Sequence, residues 1–232
     1  MPPLTTDEIH IWTWPTTDSE QDGNLLDESE RTRLASYRSE VERNRFGGRH
    51  QGLRRLLARY CAMKPESLRF SHNSHGKPRL ICPESGPDIH FSLSHCRQLN
   101  GLAIRLDQPL GLDIEDVDGR LDHQGLARRC FAPEETHQLA TCPTPDKAAW
   151  FCRFWTLKEA FIKACGLGLS LPLKSFAIQG IEEPPTLISA PPEYSRQEWQ
   201  FNQWQLTGAT FMSVAATVSP GQKRPLKISR NS

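Results

Sequence analysis

FWTLKEAFIKACGLGLSLPL, residues 154–173, carries two messages at once. It continues a run from Lys147 that is free of Gly and Pro and is stopped by Gly166 and Gly168, so a helix is expected over residues 147–165. Trp150, Phe151, Phe154, Trp155, Leu157, Phe161 and Ile162 crowd most of its circumference, the pattern of a helix buried on nearly every side. Charges in such a helix should be few, and paired or liganded. Glu159 and Lys163 are four apart and share a face, with Trp155 one turn earlier. On a solvated helix they would be a surface ion pair. Here the apolar surroundings favour a functional role about as well.

Upstream, GLDIED (111–116) ends a short apolar run with acids. In a strand, Asp113 and Glu115 point to the same side, so both can reach one cation. Hard oxygens favour Mg²⁺ or Mn²⁺, and Mg²⁺ commonly takes one or two carboxylates, several waters and substrate phosphates. Asp116 faces the other way and is the weaker ligand. The plain alternative is a solvated acidic turn. Further upstream, FSLSHC (91–96) places Ser94 and His95 after a strand, in a polar connection. Either could donate to a phosphate oxygen, or the His could be satisfied by backbone. The pair speaks against a Ser-His-acid hydrolase: adjacent residues rarely have the geometry for proton transfer between them, and no G-x-S-x-G elbow exists. Lys77, between Gly76 and Pro78, could be aimed at a phosphate by a rigid turn or could point to solvent. His72 and His75 read as loop residues, not a metal site.

The remaining chain sets bounds. Its 232 residues suffice for one large domain or two small ones. Lys and Arg total 28 against 27 acids, but the charge is segregated. Residues 31–59 hold nine Arg and only Glu40 and Glu42, whereas residues 113–122 hold five acids and Arg120. Seven Cys without a C-x-x-C pair argue against zinc and for a reducing cytoplasm. No signal peptide and no apolar run of membrane length is read. No Walker A loop or G-x-G-x-x-G occurs. Strands are expected at residues 8–14, 68–70, 88–93, 101–106, 110–114, 176–178, 199–206 and 211–218. Helices are expected at 25–37, 40–63, 121–129 and from Pro133. Residues 183–192 read as a Pro-rich loop and residues 220–232 as a loose basic tail. Each half reads as helices plus about three strands, with a boundary near residues 107–109.

These blocks, with G-K-P at 76–78, F-x-L-S-H at 91–95, G-x-D-I-E at 111–115 and W-x-x-K-E-A-F-I-K-A at 155–164, resemble the 4′-phosphopantetheinyl transferases of the two-lobed, surfactin-synthetase-activating type. The likeness runs from about Phe46 to Phe176. It implies an α+β fold of two similar, pseudo-twofold-related lobes, each a small, mostly antiparallel sheet packed with helices. The lobes would be residues 1–108, with the coenzyme A nucleotide and phosphate contacts, and 109–232, with the metal-binding acids and the KEA helix. The site would lie between them. It implies Mg²⁺ (Mn²⁺ as an alternative) on Asp113, Glu115 and Glu159. Glu159 would serve as ligand, base or both, and Lys163 and His95 would join it in catalysis. Coenzyme A would be bound by Arg54, Lys77, Ser94, His95, Lys158 and Lys163, with Arg54 at the 3′-phosphoadenosine. The implied reaction moves 4′-phosphopantetheine to a serine of an apo acyl or peptidyl carrier protein and releases 3′,5′-ADP. Internal duplication would make a monomer sufficient, with no nucleic-acid or membrane partner.

Two other readings compete on the residues alone. The Arg run could serve a non-enzymatic nucleic-acid or phosphate-binding protein, which leaves Asp113, Glu115 and Glu159 without a role. A metal-dependent phosphohydrolase would use those acids but lacks a second carboxylate or His cluster for a two-metal centre.

Overall fold

The alternation in EIHIWTW produces strand β1 (Glu8–Pro15). In this computed structural model, which describes residues 3–17, 23–82, 86–180, 184–206, 208–219 and 226–231, β1 is followed by helices α1 (Glu28–Ser36) and α2 (Glu40–Cys61). Then come a hairpin of β2 (Phe70–His72) and β3 (Pro78–Leu80) and the pair β4 (Ile89–His95) and β5 (Leu99–Leu106). The same order recurs in the second half. Strand β6 (Leu110–Asp116) leads to α3 (His123–Cys130), α4 (Pro133–Thr141) and α5 (Lys147–Cys165). A hairpin of β7 (Ala177–Gln179) and β8 (Thr186–Ser189) follows, then the short α6 (Pro192–Ser195) and the pair β9 (Glu198–Gln205) and β10 (Thr210–Val218). Strand β11 (Lys227–Asn231) comes last.

The sheets repeat as the elements do. One has the order β11-β1-β5-β4 and the other β6-β10-β9. In each half the first strand pairs antiparallel with the last, which pairs antiparallel with the one before it. The α+β class with small antiparallel sheets is therefore as the sequence led us to expect. Two expectations need correction. Ser94 and His95 lie inside β4, not in a connection after it, because β4 stays paired to β5 as far as His95↔Asn100. The expected loose tail is, over its described part, a strand: β11 pairs parallel with β1. The other residues of that tail, 220–225 and 232, lie outside the described residues, as does Glu183 of the expected Pro-rich loop. That loop contains β8 and the start of α6.

The sheets meet through Ile9, Ile11 and Ala103 on one side and Leu112, Ile114, Met212 and Val214 on the other. On the outer faces, α2 buries Leu53 and Leu57 over the first sheet, and α5 buries Leu157, Phe161 and Ala164 over the second. Each fully buried large side chain contributes about 1.5–3 kcal/mol.

A polar clamp repeats with the topology. In α1, Glu30 accepts from the Asp27 amide as a helix N-cap partner and from Arg54 Nε at 2.6 Å. Arg54 also donates to the carbonyls of Pro65 and Leu68, just before β2, and to Asp27. In α4, Glu135 accepts from the Ala132 amide and from Lys158 Nζ, which also donates to the carbonyl of Phe176, just before β7. Each half thus ties its first helices, its long helix and its hairpin together with one buried cation on a carboxylate.

Candidate active site

The site begins with a glycine. A Cβ at Gly111 would lie 1.9 Å from the Ala160 carbonyl oxygen and 2.5 Å from the Ala164 nitrogen, so only Gly lets α5 press against β6 here. Strand alternation then sends Asp113 and Glu115 to the same face as Gly111. On α5, the residues turned to that face include Cys152, Thr156, Ala160 and Lys163. The Cys152 thiol reaches the Glu115 carbonyl, and Thr156 accepts from Ser213, the cross-strand partner of Asp113.

Asp113 is 3% exposed. Its Oδ1 accepts from Lys163 Nζ at 2.6 Å and from Ser94 Oγ at 2.9 Å. Lys163 Nζ also reaches Ser94 Oγ at 3.1 Å. The second oxygen, Oδ2, is buried without a hydrogen-bond partner. Ser94 Oγ accepts the amide of Ile114, and Ser92 Oγ accepts that of Leu112. Two serines two residues apart on β4 therefore satisfy two amides two apart on the free edge of β6. This seam joins the sheets and fixes Asp113 beside β4. Ser92 was missed in the sequence; the i, i+2 serine spacing was its only signal.

The acids disfavour one another. Burial, then Asp113, push the Glu115 carboxyl up to about 7. Burial and Asp113 also raise that of Glu159, while Lys163 opposes both shifts. The Lys163 ammonium bonds to Asp113 rather than to Glu159, and the Glu159 carboxyl moves up. Among the described residues, no three His, Cys, Asp or Glu side chains form a ready metal cage. The donor set nevertheless fits Mg²⁺, which needs few carboxylates when phosphates and waters complete its shell. An orphaned, buried carboxylate oxygen flanked by two acids of raised proton affinity is what such an ion would relieve.

Opposite these acids lies a basic face. His95, exposed at the end of β4, has its ring pushed down to about 4 by its packing and by the charges of Arg49, Lys163, His50 and Arg45. Arg49 packs over the Phe46 ring, and His50 stacks on that ring and bonds Glu30 at 2.8 Å. The Arg run thus sends one side of α2 towards His95. No motif in the sequence marks His50. Beside Glu115 opens a cleft of ≈ 250 Å³ lined by Leu121, Leu126, Phe151 and Trp155.

Asp113, Glu115, Glu159, Lys163, Ser94 and His95 all belong to this region. Three other expected coenzyme A contacts do not. Arg54 is 0% exposed, and its Nε, Nη1 and Nη2 are all engaged in the clamp, so it is a structural cation. Lys158 is the equivalent cation of the second half, 0% exposed on Glu135. Lys77 Nζ donates to the carbonyls of Leu110, Lys163 and Ala164, which closes the end of α5 where Gly166 turns left-handed at φ 74°. In each case the sequence showed a cation near the right motif. The acceptors lie 11 to 87 residues away and could not be read from it.

The sequence profile of the 4′-phosphopantetheinyl transferase superfamily matches residues 109–218, the half that holds β6 and α5. The 4′-phosphopantetheinyl transferase HetI of Nostoc sp. is 31% identical over 199 residues, covering 84% of each chain. The 4′-phosphopantetheinyl transferase Sfp of Bacillus subtilis is 32% identical over 143 residues, or 62% of this chain and 61% of that protein. A solved holo-[acyl-carrier-protein] synthase from Neisseria meningitidis aligns with 48% of this chain and 98% of its own, at 17% identity and a TM-score of 0.39.

Proposed function

The chain belongs to the 4′-phosphopantetheinyl transferase superfamily, and on that premise we propose that it transfers the 4′-phosphopantetheine arm of coenzyme A to a serine of an apo acyl or peptidyl carrier protein. The other product is 3′,5′-ADP. One observation carries the reading: buried Asp113 holds Lys163 and Ser94 on one oxygen and leaves the other unpartnered, between an acidic and a basic face. A pyrophosphate with a bound dication complements both faces.

Mg²⁺, or Mn²⁺ in its place, would be held by Asp113, Glu115 and Glu159; when bound, it neutralises charge building on the leaving phosphate. Lys163 offers an ammonium to the same oxygens, while Arg45 and Arg49 supply fixed positive charge for the nucleotide phosphates. His95, with its proton affinity depressed, is neutral at pH 7 and acts there as a hydrogen-bond donor. In the transfer, the serine oxygen bonds to phosphorus and the bridging oxygen leaves with the nucleotide. The serine proton passes to Glu159, directly or through water. The two halves act as lobes divided near residues 108–109, with β11 returned to the first. Among the described residues no helix is long and apolar enough to cross a membrane. A monomer working in the cytoplasm meets these requirements.

The test is incubation with coenzyme A, Mg²⁺ and a panel of apo carriers. We expect at least one carrier to gain the mass of phosphopantetheine. Asp113→Asn should retain the wild-type circular dichroism spectrum and lose roughly 10²–10³-fold or more in kcat/KM, several kcal/mol of transition-state stabilisation. Coenzyme A breakdown without carrier modification would instead support a phosphohydrolase.

A further inference from the structure

Lys163 has two possible partners in the proposed reaction, the acids and the phosphates. The structure places it on the acids. Its ammonium is 2.6 Å from Asp113 Oδ1 and 3.1 Å from Ser94 Oγ, with only 31% of the side chain exposed. It is bonded to the carboxylate that would hold the metal, not to the basic face. It therefore serves as the counter-charge of Asp113 within the acidic cluster.

The mounting of this lysine suits a swinging group. Its carbonyl is pinned by Lys77 Nζ at 2.6 Å and the neighbouring Ala164 carbonyl by the same ammonium at 3.3 Å, so the backbone is fixed. Between that anchor and the ammonium lies a flexible four-carbon stem. A dication on Asp113 would sit within a few ångströms of this ammonium, and like charges so close in a half-buried setting repel strongly. A phosphate offers the ammonium a better-matched partner and removes that repulsion.

We infer that Lys163 is a resident counter-cation of the acidic cluster, one that opposes a dication arriving alone and yields Asp113 when phosphates arrive to take the ammonium. Metal and coenzyme A are then admitted together, and Lys163 positions the pair by moving from one to the other. This rests on the transferase reading of the site.

The test is Mn²⁺ binding, followed by calorimetry and by electron paramagnetic resonance, without carrier protein and without turnover. In the absence of coenzyme A, Lys163→Met should bind Mn²⁺ at least tenfold more tightly than the wild type at pH 8. Asp113→Asn added to Lys163→Met should remove that gain, which locates it at this site. In the wild-type protein, saturating coenzyme A should tighten Mn²⁺ at least tenfold. Lys163→Gln repeats the comparison should the Met variant fold poorly, and the wild-type arm needs no variant. Mn²⁺ affinity no higher in folded Lys163 variants, or unchanged by bound coenzyme A in the wild type, would overturn the inference. A wild-type protein that binds no coenzyme A would overturn the transferase reading instead, while the variant comparison without coenzyme A still decides the role of Lys163.

Discussion

At the scale of single residues, the same charged side chain means different things according to what surrounds it. Arg54 lies in a basic helix, at a position the family resemblance gives to the nucleotide, yet all three of its nitrogens are engaged inside the fold. Arg54→Ala should cost about 3–5 kcal/mol, because Glu30 and Asp27 lose their buried counter-charge. Urea denaturation measures that loss. The folded variant should still discriminate coenzyme A from its 3′-dephospho form as the wild type does; selective loss of that discrimination at full stability would return Arg54 to the binding site. Glu115 shows the opposite case, a group whose fold holds it in tension. Its carboxyl titrates near 7 in the native protein against 4.5 ordinarily. Between those values the native state keeps a proton that the unfolded chain has released, so this group's contribution falls as pH rises through the window. The loss is complete above about pH 7 and amounts to at most about 3 kcal/mol. His95 shifts the other way, so the measurement must isolate Glu115. Without metal, the stability of Glu115→Gln relative to wild type should increase from pH 5 to pH 8. A constant difference would show that Glu115 is not strained.

At the scale of elements, the contact between β6 and α5 decides whether the residues form a site. Gly111 meets backbone atoms of Ala160 and Ala164, which cannot rotate away. Gly111→Ala should therefore push the helix outward, at about 1–3 kcal/mol of overpacking. The displacement separates Glu159 and Lys163 from Asp113, so kcat should fall at least tenfold even where the protein remains folded. Thermal melts and steady-state kinetics on one carrier would check both effects. Unaltered kcat would mean that the site tolerates a looser helix than its geometry suggests. The seam of Ser92 and Ser94 is the complementary constraint, since it holds the other edge of β6 without a strand partner.

At the scale of the whole molecule, a repeated topology carries the candidate site's acids in its second half. Where β6 offers Gly111, Asp113 and Glu115 to α5, β1 offers His10, Trp12 and Trp14 to α2. There Tyr60 Oη is 2.7 Å from both His10 Nδ1 and Trp12 Nε1. Aromatic and imidazole packing fills the space that acids occupy in the second half, and the first half supplies the basic face instead. The halves are also laced by β11, which pairs with β1 and carries Ser229 and Lys227 to Glu8. Leu226, just before it, is 3% exposed in the core between the sheets. Ending the chain after Val218 should lose about 1.5–3 kcal/mol from Leu226 alone and bare the edge of β1. The expected result is a lower melting temperature and aggregation; an unchanged melt would mean that the segment is a loose tail after all.

The sequence by itself determined the long helix over residues 147–165, most of the strands, and the shared faces on which the candidate acids sit. These depend on periodicity and on spacings of two and four, which backbone geometry converts directly into shared faces. The α+β class follows from the family resemblance that its motifs carry. Only the tertiary structure decided which cations are free to meet a phosphate. Arg54, Lys77 and Lys158 find their acceptors on other elements, and Lys163 chooses Asp113 on β6 over Glu159 one turn away on its own helix. A charge on a helix advertises its identity in the sequence, but its role is set by the nearest unsatisfied partner. In a folded chain that partner is a neighbour in space.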